Sequence, residues 1–195
     1  MSRDVDTPHG PARVHEHPVA GARALLVLGH GAGGGVTAPD LVTATRAANE
    51  SGIGVALVEQ PYRVAGRKSA APAHQLDAAW IAVVDAIRGV VPVLCGGRSS
   101  GARVACRTTG ETGAAGVLCL AFPVHPPGRP EKTRLSELDA VTVAVLVVQG
   151  ERDPFGMPPD APGRTVARVN GDHGLKADRA AIAAAIGDWL AALPL

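Results

Sequence analysis

The chain, 195 residues long, reads as an α/β protein: a mostly parallel central sheet with helices on both faces. Three observations carry that expectation. Apolar runs alternate with stretches of helical period from the first quarter of the chain to its end. The runs are continuous, as in Leu25-Leu26-Val27-Leu28 and Val145-Leu146-Val147-Val148. Continuity marks strands covered on both faces, as parallel strands between helical layers are. Finally, Gly97-Arg98-Ser99-Ser100-Gly101 stands between an apolar run and a helical stretch, where a tight strand-to-helix turn belongs.

The elements follow in order. Residues 13–18 are expected to add an antiparallel edge strand before the first parallel strand, 24–28. A glycine-rich turn leads to a helix over 38–50, closed by Gly52, and then to a strand over 54–58. Residues 72–88 carry Leu76, Ala79, Trp80, Val83, Val84 and Ile87 at spacings of three and four, one face of a helix. A strand over 90–95 or 91–95 precedes the Ser99 turn, and a helix starts at 102–108. Further strands are expected over 116–120, 143–148 and 165–169. The final helix places Ile182, Ile186, Trp189 and Leu190 on one face. The longest loop is 122–137. No repeat or linker divides the chain, so residues 1–195 are expected to form one domain, a length that buries a core without disulfides.

Composition excludes several classes of function. Nineteen basic against eighteen acidic residues leave a formal charge of +1, so no nucleic-acid partner is expected. No apolar stretch is long enough for a bilayer, so no membrane partner is expected either. The N-terminus lacks the apolar run of a signal peptide. Cys95, Cys106 and Cys119 all lie in apolar segments without framework spacing. They read as buried free thiols of a reducing compartment, and the expected location is cytoplasmic.

Functional groups in such a sheet collect in loops after the carboxyl ends of strands, and three of these loops carry matching chemistry. Ser99 follows one strand, with glycines two before and two after it that let strand and helix approach. Asp153 lies in Gln149-Gly150-Glu151-Arg152-Asp153-Pro154, and His173 in Gly171-Asp172-His173-Gly174. A serine hydroxyl needs a base to take its proton. Imidazole suits that work, and a carboxylate fixes its tautomer. The order serine, acid, histidine is that of α/β-hydrolases. Glu151 and Asp160 rank behind Asp153 as the acid, and Ser100 behind Ser99 as the hydroxyl. In a fourth loop, Gly29-His30-Gly31-Ala32-Gly33-Gly34-Gly35, the backbone N–H of Ala32 is the expected partner of the Ser100 N–H in an oxyanion hole.

On these motifs the chain resembles the α/β-hydrolase superfamily over nearly all its length. More narrowly it is similar to the small, dienelactone-hydrolase-like branch, and to predicted bacterial hydrolases. Eukaryotic relatives of that group include a testis-expressed protein and a subunit of a histone-acetyltransferase complex. The resemblance implies a minimal α/β-hydrolase core without a cap domain and a Ser99–Asp153–His173 triad. The expected activity is that of a serine hydrolase acting on a small-molecule acyl substrate, with no metal or organic cofactor. A hydrolase-fold binding or scaffold protein is the competing expectation.

Other residues carry weaker expectations. His30 is expected to shape the oxyanion turn at the substrate pocket, and His125, after the strand over 116–120, to line that pocket. His15 and His17 alternate along the first strand and are expected to form a solvated face. Arg63, Arg67 and Lys68 read as a solvated cluster that could draw an anionic substrate. Gly29, Gly31 and Gly34 also fit a dinucleotide fingerprint with Glu59 as ribose ligand, a reading that leaves Ser99, Asp153 and His173 unexplained.

Overall fold

The computed structural model describes residues 1–195. Eight strands form one sheet: β1 (Ser2–Val5), β2 (Ala12–His17), β3 (Leu25–Gly29), β4 (Gly54–Glu59), β5 (Val93–Arg98), β6 (Gly116–Leu120), β7 (Ala144–Gly150) and β8 (Arg164–Val169). Their spatial order is β1-β2-β4-β3-β5-β6-β7-β8. β1 and β2 run antiparallel to their neighbours, and every other pairing is parallel.

Side chains alternate along each central strand and so feed two cores. Leu26 and Leu28 of β3, Leu118 and Leu120 of β6, and Leu146 and Val148 of β7 pack beneath α1 (Pro39–Glu50) and α7 (Arg179–Ala192). Val27, Val117, Cys119, Val145 and Val147 point the other way, toward α3 (Ala73–Ile87) and α4 (Ser100–Arg107). Trp80 of α3 is fully buried there. Burial on both faces is what the continuous apolar runs require. Asp178 caps α7 by accepting the Ala181 N–H at 3.0 Å, satisfying one of the donors a helix start leaves free.

Four short elements add to the expected set: β1, α2 (Pro61–Val64), α5 (Thr109–Thr112) and α6 (Leu135–Asp139), the last starting within the long loop expected over 122–137 and running two residues past its end. The strand expected at the edge is internal, because β1 pairs outside β2. β1 has no apolar run, and only Val5 is buried. Its ladder and the exposed pairs Arg13–Asp4 and Arg3–Glu16 hold it, and none of these shows in local hydropathy. The fifth strand is also shifted. Val90 is fully exposed, and β5 instead runs through Gly96 and Gly97 to Arg98. A Cβ on Gly96 would collide with the Leu118 carbonyl, so the glycines there serve close strand packing as well as the turn.

The topology selects a place for a site. β3 connects outward to β4 while β5 lies on its other side, so the chain reverses direction between β3 and β5. Gly29 and Gly97, near the carboxyl ends of these strands, are direct neighbours. Loops leaving such a switch point open a crevice between them.

Candidate active site

Ser99 leaves β5 at φ 52° and ψ −106°, a region that side chains rarely adopt and that costs on the order of 1–3 kcal/mol. The surroundings hold it there. A Cβ on Gly101 would collide with the Gly29 carbonyl, and one on Gly97 would lie 2.5 Å from it. The two glycines therefore let α4 sit against β3 and force the bend at Ser99.

Three loops converge on that bend. The Ser99 Oγ lies 3.0 Å from His173 Nε2, and His173 Nδ1 lies 2.8 Å from Asp153 Oδ2. Asp153 is almost wholly enclosed, with 1% of its side chain exposed. Its Oδ1 accepts the Phe155 N–H at 2.8 Å, and its Oδ2 also accepts from Gln149 Nε2 at 2.9 Å. The Phe155 ring meets the His173 ring edge-on, with centroids 4.3 Å apart. The structure thus brings Ser99, Asp153 and His173 into one hydrogen-bonded chain. Glu151 is exposed, and Asp160 is engaged by the Val166 N–H and Arg168; neither reaches His173. Asp172 closes its own turn by accepting the Gly174 N–H at 2.8 Å.

The glycine-rich loop after β3 is set by His30. Its Nε2 accepts the Gln60 N–H at 3.1 Å, which leaves Nδ1 to carry the proton and donate to the Gly31 carbonyl at 2.8 Å. That carbonyl also accepts the Gly34 N–H. A trans peptide points its C=O and N–H in opposite directions, so the Ala32 N–H faces away from His30, and no acceptor in the protein takes it. The Tyr62 hydroxyl anchors the Ala32 carbonyl at 2.9 Å. Ala32, Ser99 and Ser100 share the wall of a cavity of about 350 Å³. Ser100 opens α4, so its N–H is among the first-turn donors that lack an intrahelical acceptor.

Two expected pocket residues stand elsewhere. His30 is only 3% exposed and sits behind the loop, because backbone groups occupy both of its nitrogens. His125 turns to the Pro126 carbonyl at 3.0 Å and packs beside Gly156; it is not in the cavity wall. Arg67 and Lys68 are exposed, and neither they nor Arg63 line the cavity. Glu59 pairs with His15 at 3.0 Å, and α1 begins only at Pro39. The glycines therefore do not open a helix as a dinucleotide fingerprint would.

Two positioning residues escaped the sequence reading. Gln149 is fully buried, and its amide nitrogen faces three acceptors: the Phe122 and Gly156 carbonyls and Asp153. Arg98 reaches across the crevice, pairing with Asp40 at 2.9 Å and donating to the His173 carbonyl at 3.0 Å. Asp40 is wholly enclosed. Burial pushes its pKa up and Arg98 pulls it back, with burial dominant. Removing Arg98 would strand that carboxylate, a loss that typically costs about 3–5 kcal/mol. The Arg98 contacts span tens of residues and show in no local motif. Gln149 lies in the same motif as Asp153, four residues before it, but nothing in that spacing tells that its amide turns inward to the carboxylate.

A mostly parallel sheet with helices on both faces, a strained serine at its switch point and two further loops linked to that serine through His173 and Asp153 define an α/β-hydrolase class of protein. Residues 22–181 match the family model described as an alpha/beta hydrolase domain, and the chain belongs to that family. No curated protein matches the chain. Among solved structures it is similar to XC6422 from Xanthomonas campestris, described as an α/β serine hydrolase without lid. That match has 20% identity and a TM-score of 0.81, covering 100% of this chain and 95% of that one. Est1E from Butyrivibrio proteoclasticus is 13% identical at a TM-score of 0.78, with 97% of each chain covered. Dienelactone hydrolase from Anabaena variabilis is 14% identical at 0.74, covering 99% of this chain and 97% of that one. These likenesses are of fold, and the fold is that of the small, dienelactone-hydrolase-like branch. No helix is long and apolar enough to cross a membrane.

Proposed function

We propose that the protein is a serine hydrolase that cleaves an ester-like bond (carboxylic ester, thioester or lactone) of a small molecule through an acyl-enzyme. The observation that carries this reading is the hydrogen-bonded chain from Ser99 Oγ through His173 to Asp153, at 3.0 and 2.8 Å. His173 Nε2 takes the Ser99 proton as Oγ attacks the carbonyl carbon, and Asp153 holds the tautomer with its proton on Nδ1. The N–H groups of Ala32 and Ser100 receive the oxyanion, two donors whose alignment costs no reorganisation. The imidazolium then gives its proton to the leaving oxygen or sulfur, and the C–O or C–S bond breaks. Water, deprotonated by His173, attacks the ester carbon; the acid departs and Ser99 regains its proton. This cycle needs neither metal nor organic cofactor.

A fluorophosphonate probe tests the assignment directly. Mass spectrometry should find the adduct on Ser99, and Ser99→Ala should abolish it while keeping the fold. An adduct on Ser100, or labelling that persists in Ser99→Ala, overturns it.

A further inference from the structure

The cavity beside Ser99 holds more positive charge than its own carboxylates balance. Arg103 and Arg107 stand one and two turns beyond Ser99 on α4, about 6 and 12 Å along the helix axis, and helical side chains lean back toward the N-terminus. Arg134, the residue before α6, faces the same space, and all three line the cavity. Arg103 is held by Glu137 through two contacts of 2.8 and 2.5 Å. Arg107 is held by Asp77 at 2.9 and 2.6 Å, with Glu137 at 3.4 Å. Two carboxylates thus serve two guanidiniums. The Arg134 backbone is fixed by its N–H on the Val124 carbonyl at 2.7 Å, but its side chain makes no ion pair and no hydrogen bond. It is half-buried. Burial and then the neighbouring Arg103 push its pKa down, yet a guanidinium stays charged at any working pH.

A surplus cation in a partly enclosed wall, beside two paired ones, is unfavourable until an anion arrives. The chain as a whole carries only +1, so this is a local feature and not part of a basic surface. The cavity also has a side. Ser99, Ala32 and Ser100 line one end of it, and the arginines begin a full turn of α4 beyond Ser99. A leaving group has to lie within reach of His173, beside Ser99, and the space under the arginines is therefore assigned to the acyl portion. Phe155, Pro123 and Pro127 line the same space and suit short methylene chains.

We propose that Arg134, backed by Arg103 and Arg107, is a carboxylate subsite, and that the substrate is an ester, thioester or lactone whose acyl portion ends in a carboxylate. The inference rests on the proposed hydrolase function and adds to it the class of acyl group.

The test compares 4-nitrophenyl half-esters of succinate, glutarate and adipate with the neutral 4-nitrophenyl hexanoate, each rate divided by its hydroxide-catalysed rate. Wild-type protein should favour the best half-ester in kcat/KM. Arg134→Met should lower that preference about ten- to a hundredfold, the scale of one hydrogen bond to a charged group. The loss should fall mainly on KM, and Arg134→Lys should restore part of it. A wild-type preference of one or less, or one that Arg134→Met leaves intact, overturns the subsite. Calorimetric titration of glutarate into Ser99→Ala separates this outcome from failure of the hydrolase reading. If no ester is turned over, glutarate binding to Ser99→Ala that is lost in Ser99→Ala/Arg134→Met upholds the subsite alone. Absence of glutarate binding then removes it.

Discussion

His30 and His173 stand in loops at the same end of the sheet, one after β3 and the other after β8, and the structure gives them opposite kinds of partner. His30 is enclosed, with Nδ1 donating to the Gly31 carbonyl and Nε2 accepting the Gln60 N–H. Both partners are backbone groups that cannot titrate, so the ring is spent on holding a turn. His173 keeps 18% of its side chain exposed and lies between a carboxylate and a hydroxyl. Its partners can give or stabilise a proton, so the ring can take one and return it. Under the proposed function, partner chemistry, more than burial, separates a brace from a base.

The largest expected effect breaks the comparison on the His173 side. His173→Ala should lower kcat on an activated ester by about a millionfold, since residues of a nucleophilic unit act together. Its melting temperature should stay within a few degrees of wild type. Retention of a tenth of the activity would show that another group serves as base. Asp153→Asn should cost about ten-thousandfold in kcat, because an amide there favours the wrong imidazole tautomer. Glu151→Gln, at an exposed residue without a partner, should stay within a few-fold. A reversed order of these two rates would move the acid to Glu151.

On the His30 side the loss should be smaller and of a different kind. His30→Ala releases the Gly31 carbonyl and lets the Ala32 N–H drift from where an oxyanion forms. Complete loss of one such donor costs about a hundred- to a thousandfold in kcat, which sets the upper bound for a misdirected one. Because the oxyanion exists only in the transition state, kcat should fall with KM nearly unchanged. A rise in KM at constant kcat would place His30 in ground-state binding instead.

These contrasts also explain what could be read before folding. Ser99 announces itself because a strained turn needs glycines at fixed offsets, and the loops of Asp153 and His173 because apolar strands delimit them. The strands of the parallel core show for the same reason, being buried on both faces. β1 leaves no such mark, since backbone pairing and exposed ion pairs hold it. Arg98 and Arg134 act through groups distant in the chain that the fold brings together, and no local period encodes those meetings. Gln149 sits four residues from Asp153, yet a lone amide in a loop gives no sign of which way it turns. His30 is legible in half. Its place in a glycine-rich loop marks it as shaping the turn, which it does; that it stands behind the loop and not in the pocket wall follows only from the Gln60 N–H, thirty residues away.

The smallest expected effect concerns stability and pH. Burial is the main cause that lowers the His30 pKa; nearby Arg63 adds to it, and the Gly31 carbonyl and Glu59 oppose it. The unfolded chain therefore takes up the proton at higher pH than the native one, near the ordinary histidine value of about 6.5. Where the unfolded state binds more protons, stability rises with pH. The His30 contribution is thus complete above about pH 6.5 and falls as pH drops toward the folded-state value, by at most about 1.4 kcal/mol per pH unit for one proton. Protonation also gives Nε2 a hydrogen and breaks its acceptance of the Gln60 N–H, so the loss has a definite structural site. His17, lowered by burial, the N-terminal ammonium and His15, adds a slope of the same sign. Asp40, raised by burial, adds one of opposite sign at lower pH. Urea unfolding of wild type, His30→Gln and His17→Gln between pH 7.5 and 5 separates them. The slope should flatten most in His30→Gln. An equal slope in wild type and His30→Gln would mean that His30 already shares its proton with solvent and does not hold the turn as a neutral ring.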